Sequence, residues 1–159
     1  MIEPVKKYFR LFPGNEVRLK SAYFVKCVGY DTDENGEVTA VHCTYDPKTR
    51  GGDSPDGRKV KGTLHWVSAQ DCRECEVRLY DRLFNNPNPS DESTGSFKDN
   101  LNPDSLQILS GCLVEGSIRN SKPGDVFQFM CQGYFCVDTK STDEKLIFNR
   151  TVALNSSFK

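Results

Sequence analysis

Turn-forming clusters recur along this chain about every ten residues, and the stretches between them are short and β-like. That spacing leaves room for few helices and favours small antiparallel barrels or sandwiches. Glu16–Tyr30 reads as a long strand rich in Val, Tyr and Phe. Asp31-Thr-Asp-Glu-Asn-Gly36 is a turn with an Asn-Gly pair, and Glu37–Tyr45 is the return strand of a hairpin. Asp46–Gly57 is a loop rich in Gly and Pro, after which Arg58–Val67 and Cys75–Tyr80 read as strands. Asn85-Asn-Pro-Asn-Pro-Ser-Asp-Glu-Ser-Thr-Gly95 is the strongest breaker and the expected boundary between two halves. Beyond it, Ser105–Glu115, Asp125–Asp138 and Lys145–Leu154 are β-like, separated at Lys122-Pro-Gly124 and Ser141–Glu144. Short helices are conceivable only at Ala69–Cys72, Asp81–Phe84 and Ser96–Asn100. With 36% apolar residues and a mean hydropathy of −0.58, the core is expected to be thin.

Charge narrows the function classes. The 159 residues carry 21 Lys and Arg against 22 Asp and Glu. A chain so balanced does not coat nucleic acid through its net charge, so any such contact must come from local clusters of cations. Met1–Lys7 holds no apolar core of a signal peptide, and no apolar run reaches the ~18–20 residues of a membrane span. The seven cysteines are then expected as reduced thiols in a cytoplasmic protein. Cys27, Cys43, Cys112, Cys131 and Cys136 lie in apolar, strand-like runs and serve as small hydrophobes. The abrupt, charged opening suggests a fragment of something longer.

Cations interleaved with aromatics are the chemistry that stands out. In Glu16-Val-Arg-Leu-Lys20, strand alternation turns Val17 and Leu19 one way and Arg18 and Lys20 the other. It sets the two cations about 6.6–7 Å apart. Lys6, Lys7 and Arg10 precede them among Tyr8, Phe9 and Phe12. Unstacked single-stranded bases need such stacking planes and donors to base edges; an ordinary solvated strand face is the plain alternative. Arg58, Lys59 and Lys61 form a second cationic patch, which contacts phosphates or is simply solvated. Beside it, Trp66 is expected in the core with its indole N–H on a backbone carbonyl, and His42 and His65 have structural roles. Cys72-Arg-Glu-Cys75 supplies two of the four ligands a zinc site requires, so no metal is expected. Tyr80-Asp-Arg82 and Phe148–Val152 read as structural ion pairs and strand junctions. The chain shows no Gly-rich phosphate loop and no His-x-Gly-His or Lys-Met-Ser-Lys-Ser-like segment. No catalytic residue is expected.

Taken in order, Lys6–Lys20, Gly57–Ser68 with Glu76–Phe84, and Phe148–Val152 resemble the C-terminal anticodon-binding region of glutaminyl-tRNA synthetases. The resemblance runs from about Lys6 to Leu154. It implies an all-β chain of two small antiparallel barrels of the ribosomal-protein-L25 type. The distal barrel would lie mainly in residues 1–84, with a linker at 85–95. Residues 96–159 would form part of a proximal barrel that borrows strands from upstream and is incomplete here, with an unpaired edge. It further implies that Arg10 contacts the third anticodon base, that Arg18 and Lys20 contact the first, and that Gln128 reads the middle uracil. Lys20 stands where relatives often have arginine, and keeps the charge without the bidentate fork. Cys131 stands where many relatives have an arginine. Lys6, Lys7, Arg58, Lys59 and Lys61 would add RNA contacts.

The implied partners are the anticodon loop of a glutamine-specific tRNA and a catalytic domain of the same polypeptide, with no membrane and a monomeric state. ATP and magnesium would belong to that catalytic domain, and this chain would hold no cofactor and be inactive alone. Three alternatives stay open: the equivalent region of a eukaryotic or archaeal-type glutamyl-tRNA synthetase, an rRNA-binding protein, and a β-barrel that holds a small ligand or zinc.

Overall fold

The computed structural model describes residues 8–91, 93 and 95–154. Lys6 and Lys7 lie outside them. The chain divides into two compact units, Met1–Trp66 and Val67–Lys159. Both are built of strands, and the all-β expectation holds.

Among the described residues the first unit has four strands: β1 (Glu16–Leu19), β2 (Phe24–Thr32), β3 (Val38–Asp46) and β4 (Thr63–Leu64). They form one sheet in the order β3-β2-β1-β4. The hairpin read from Asn35-Gly36 is present, with β2 antiparallel to β3. Its turn is tied by the Asp33 carboxylate, which accepts the Asn35 and Glu37 N–H groups at 2.9 Å each. The long strand expected over Glu16–Tyr30 is two strands. It folds back at Lys20–Tyr23, pairing Glu16 with Lys26 and Arg18 with Phe24. Ser21 takes φ 58° there, a left-handed conformation that non-glycine residues seldom adopt.

The strand expected over Arg58–Val67 shrinks to Thr63–Leu64, which runs parallel to β1. At Gly62 the backbone presses on the preceding segment: a Cβ there would lie 2.1 Å from the Phe9 carbonyl oxygen. Val17, Phe24, Val25 and Cys27 make the small core, joined by Thr49. Thr49 closes a single 3-10 turn, Pro47–Thr49. Its hydroxyl accepts the Phe24 N–H at 2.9 Å and donates to the Asp46 carbonyl at 2.7 Å.

Among the described residues the second unit has five strands: β5 (Arg73–Tyr80), β6 (Leu106–Val114), β7 (Val126–Phe129), β8 (Gly133–Val137) and β9 (Leu146–Ala153). Their order is β6-β5-β9-β8-β7. Neighbours pair antiparallel except β5 and β9, which run parallel with Cys75 beside Leu146 and Arg78 beside Asn149. Both sheets are therefore mixed, and each runs between two edge strands. The core gathers Cys75, Val77, Val114, Phe135, Val137, Leu146 and Phe148. Phe129 stacks on Phe135 with ring centroids 4.6 Å apart and meets the Phe148 ring edge-on at 5.1 Å.

The division of the chain differs from the sequence reading. β5, expected in the first half, lies inside the second sheet. The Asn85–Gly95 breaker does not separate two bodies. It belongs to an excursion between the neighbouring strands β5 and β6, closed by a Phe84–Leu101 bridge and an Asn102 N–H bond to the Leu83 carbonyl at 2.8 Å. Proline and asparagine stop a strand in either setting, so composition alone does not separate a linker from a loop. Asp125–Asp138 is a hairpin, and Cys131 takes φ 63° in its turn. The three short helices expected at Ala69–Cys72, Asp81–Phe84 and Ser96–Asn100 are turns or irregular chain.

Candidate nucleic-acid interface

The cations of the first unit fall into two groups. Arg58 is spent inside the fold. Its guanidinium bonds Glu16 at 2.9 Å, Asp46 at 2.5 Å and Asp56 at 2.5 Å, and lies 5.4 Å from the centroid of the Phe24 ring. β1 and β3 flank β2: Asp46 stands beside Phe24 on one side and Arg18 on the other, Glu16 lies two residues further along β1, and Arg58 closes over Phe24 to reach both carboxylates. These bonds hold Arg58 firmly protonated, Glu16 first and then Asp46 and Asp56. Asp46 sits below the ordinary carboxylate range, chiefly through Arg58 and then the Lys48 N–H. Asp56 falls to about 2, first through the Ser54 hydroxyl and then through the Arg58 N–H. The phosphate role expected for Arg58 therefore gives way to a structural one. The sequence showed its charge but not three carboxylates waiting for it.

Arg18 is also covered. Its guanidinium lies 4.4 Å from the Phe24 centroid, donates to the Gly52 carbonyl and reaches Asp53 at 3.3 Å. The arginine is only 20% exposed, whereas the Asp53 side chain is fully exposed. The loop Asp46–Gly57 thus brings an acceptor to the residue expected to read a base, a contact absent from the sequence reading. Lys20 does not share a strand face with Arg18, because β1 ends at Leu19 and Lys20 opens the turn. Arg10, Lys20, Lys59 and Lys61 are exposed and form no ion pair among the described residues. Tyr8 and Phe9, at 42% and 45% exposure, accompany Arg10. Trp66 donates its indole N–H to the Lys20 carbonyl at 3.0 Å, as expected of that group. Its ring is 43% exposed, so it lies outside the core.

In the second unit Gln128 is exposed on edge strand β7. Phe127 and Phe129, on either side of it, pack against the core. Directly opposite stands Tyr134, 41% exposed, and beyond that Val152, 56% exposed. Opposed residues share a face of the sheet, so the amide has an aromatic ring beside it. Sequence alone does not point to Tyr134, because Asp125–Asp138 reads as one β-like stretch; the turn at Cys131 is what sets Tyr134 across from Gln128. The next polar group is internal. Arg78 bonds Glu76 at 2.7 Å and Asp138 at 3.3 Å, Lys145 bonds Glu76 at 2.8 Å, and Asn149 donates to Asp138 at 2.7 Å. Glu76 is held below its usual range by Lys145 and then Arg78, and Asp138 by the Lys140 N–H and then Asn149. Among the described residues no group of three or more His, Cys, Asp or Glu side chains is placed to hold a metal.

Two family profiles match the chain over residues 2–46 and 63–138. Both are described as tRNA synthetases class I (E and Q), anti-codon binding domain. Among similar proteins, a glutamine–tRNA ligase of Clostridioides difficile is 53% identical over 100% of this chain and 29% of its own length. One of Bradyrhizobium diazoefficiens is 52% identical over 99% of this chain and 28% of its own length. One of Clostridium perfringens is 54% identical over 100% of this chain and 29% of its own length. The chain thus spans less than a third of the relatives it matches. With two all-β units, solvent-facing cations beside exposed aromatics, and family matches over both units, the chain belongs to the anticodon-binding domains of the class I tRNA synthetases of the E and Q type.

Proposed function

We propose that this chain reads the anticodon of a glutamine-specific tRNA for a glutamine–tRNA ligase whose catalytic part, with ATP and magnesium, lies elsewhere in the polypeptide. The observation that carries this reading is the sorting of cations. Arg58 is neutralised by carboxylates, while Arg10, Lys20, Lys59 and Lys61 face solvent unpaired among the described residues. Free cations beside exposed rings serve single-stranded RNA, which needs charge along its backbone and planes for its bases. The relatives named above, all glutamine–tRNA ligases, support the choice of amino acid.

In this reading Arg10 contacts the third anticodon base, Arg18 and Lys20 the first, and Gln128 the middle one. An amide both donates and accepts, which suits a uracil edge, and Tyr134 beside it offers a stacking plane. Lys59 and Lys61 touch phosphates. The parent protein works as a cytoplasmic monomer.

Gln128 gives the sharpest test because it is uncharged, so its removal leaves long-range attraction intact. A base-edge contact contributes about 1–3 kcal/mol of discrimination, by analogy with duplex readout. In the full-length ligase, Gln128→Ala should reduce kcat/KM for the cognate tRNA far more than for a tRNA altered at the middle anticodon base. Equal losses on both tRNAs would refute the assignment.

A further inference from the structure

Cys27 and Cys43 stand directly opposite each other on the antiparallel strands β2 and β3. Opposed residues project from the same face, and their Cα atoms are about 4.5–5.5 Å apart, inside the span of about 4.4–6.8 Å that a disulfide needs. The two thiols differ in access: Cys27 is 1% exposed, whereas Cys43 is solvent-exposed on an edge strand. Burial and the nearby Cys27 thiol raise the pKa of Cys43 above the ordinary thiol value. A second pair repeats the arrangement in the other unit, where Cys75 opposes Cys112 across β5 and β6. There burial, followed by the neighbouring Cys112, pushes the Cys75 thiol up to about 12, leaving almost no thiolate near neutral pH.

We infer that Cys27 and Cys43 form a two-electron oxidation site that a hydroperoxide converts to a cross-strand disulfide. In the first step the Cys43 thiolate attacks a peroxide oxygen. An S–O bond forms, the O–O bond breaks, and the departing oxygen leaves as water or alcohol after taking a proton. In the second step the Cys27 sulfur attacks the Cys43 sulfur of the sulfenic acid. The S–S bond forms, the S–O bond breaks, and hydroxide leaves with the Cys27 proton as water. Two thiols lose two electrons, which the peroxide accepts. A buried partner directly across the strand intercepts the sulfenic acid before a thiol from another molecule reaches it. The bridge joins two residues already paired, at the last position before the bulge between Cys27 and Gly29, so β2 and β3 need not separate. The site stands on strand register and burial alone and is independent of the RNA reading.

The test is non-reducing peptide mapping of the reduced, purified chain after brief treatment with hydrogen peroxide. The expected product is a Cys27–Cys43 linked peptide, two hydrogens lighter than the sum of its parts. It should form at least about tenfold faster than a Cys75–Cys112 link, because Cys75 is buried with almost no thiolate and Cys112 is only partly exposed, whereas Cys43 is open to solvent. Cys43→Ser should abolish the link. Cys27→Ala, which keeps a small apolar group in the core, should leave Cys43 as a sulfenic acid that a dimedone probe captures. Intermolecular dimers through Cys43 or the other exposed thiol, Cys131, with Cys27 still free, would overturn the proposal. So would a Cys72–Cys75 link as the first product.

Discussion

Thr49→Val isolates one hydroxyl that anchors the Asp46–Gly57 loop. Thr49 is fully buried, and its hydroxyl serves the Phe24 N–H at 2.9 Å and the Asp46 carbonyl at 2.7 Å. Valine has nearly the same shape but leaves the Phe24 N–H without a partner in a dry site, which costs about 1–3 kcal/mol. Loss of the bond to the Asp46 carbonyl costs about another 0.5–1.5 kcal/mol. The added methyl returns about 0.8 kcal/mol. The net is a destabilisation of about 1–4 kcal/mol. At a urea m-value of about 1–2 kcal/mol/M, the midpoint should fall by about 0.5–4 M. Trp66, the sole tryptophan, lies in the same unit, so its fluorescence reports the relevant transition. Thr49→Ser keeps both hydrogen bonds and gives up one methyl, so it should cost about 1 kcal/mol. A valine variant as stable as the parent, or less harmful than serine, would refute the hydrogen-bond account.

Arg58→Ala should lower the urea midpoint while leaving the salt dependence of RNA binding unchanged. Lys59→Ala should do the reverse, reducing the slope of log K against log salt by about 0.7, the single-strand value per phosphate contact. Acid should destabilise the first unit through Asp56 and Asp46. Both carboxyls have folded pKa values below their unfolded ones, so their contribution is complete above about pH 4. For Asp56 it is lost as pH falls toward about 2. Arg58→Gln should therefore shrink the loss of stability between pH 4 and pH 2, as read by urea titrations across that window.

Local signals carried most of the strands. The Asn35-Gly36 turn and the alternation on either side of it were enough for the β2–β3 hairpin, and β6 and β9 fall within a residue or two of their expected bounds. The turn between β1 and β2 was not legible, because Lys20-Ser-Ala-Tyr23 contains no Gly, Pro, Asn or Asp, and Ser21 bears the left-handed conformation instead. The sheet to which β5 belongs depends on a parallel partner about 70 residues away, for which no local pattern exists. The site was half legible for the same reason. Charge alone singles out Arg10, Lys20, Lys59 and Lys61, and the structure leaves these four exposed. Arg58 looked identical in sequence, and only long-range folding brings Glu16 and Asp46 to it. Gln128 was visible as a strand amide, but its aromatic neighbour required knowing where the hairpin turns.

The position of β9 has a consequence for synthesis on the ribosome. It is the last strand described, yet it sits in the middle of its sheet, between β5 and β8. Before it emerges, the second unit possesses two separate hairpins, β5 with β6 and β7 with β8, and neither can bury an apolar face alone. Phe148, wholly enclosed in the finished core, arrives with the strand that joins them. Completion of this unit is thus a closing event that waits for β9, when a single segment supplies two ladders at once. Stalling or cleavage upstream of Leu146 would strip the sheet of its centre and expose two long strand flanks. Nascent chains cut there should aggregate, whereas chains ending just past Ala153 should not.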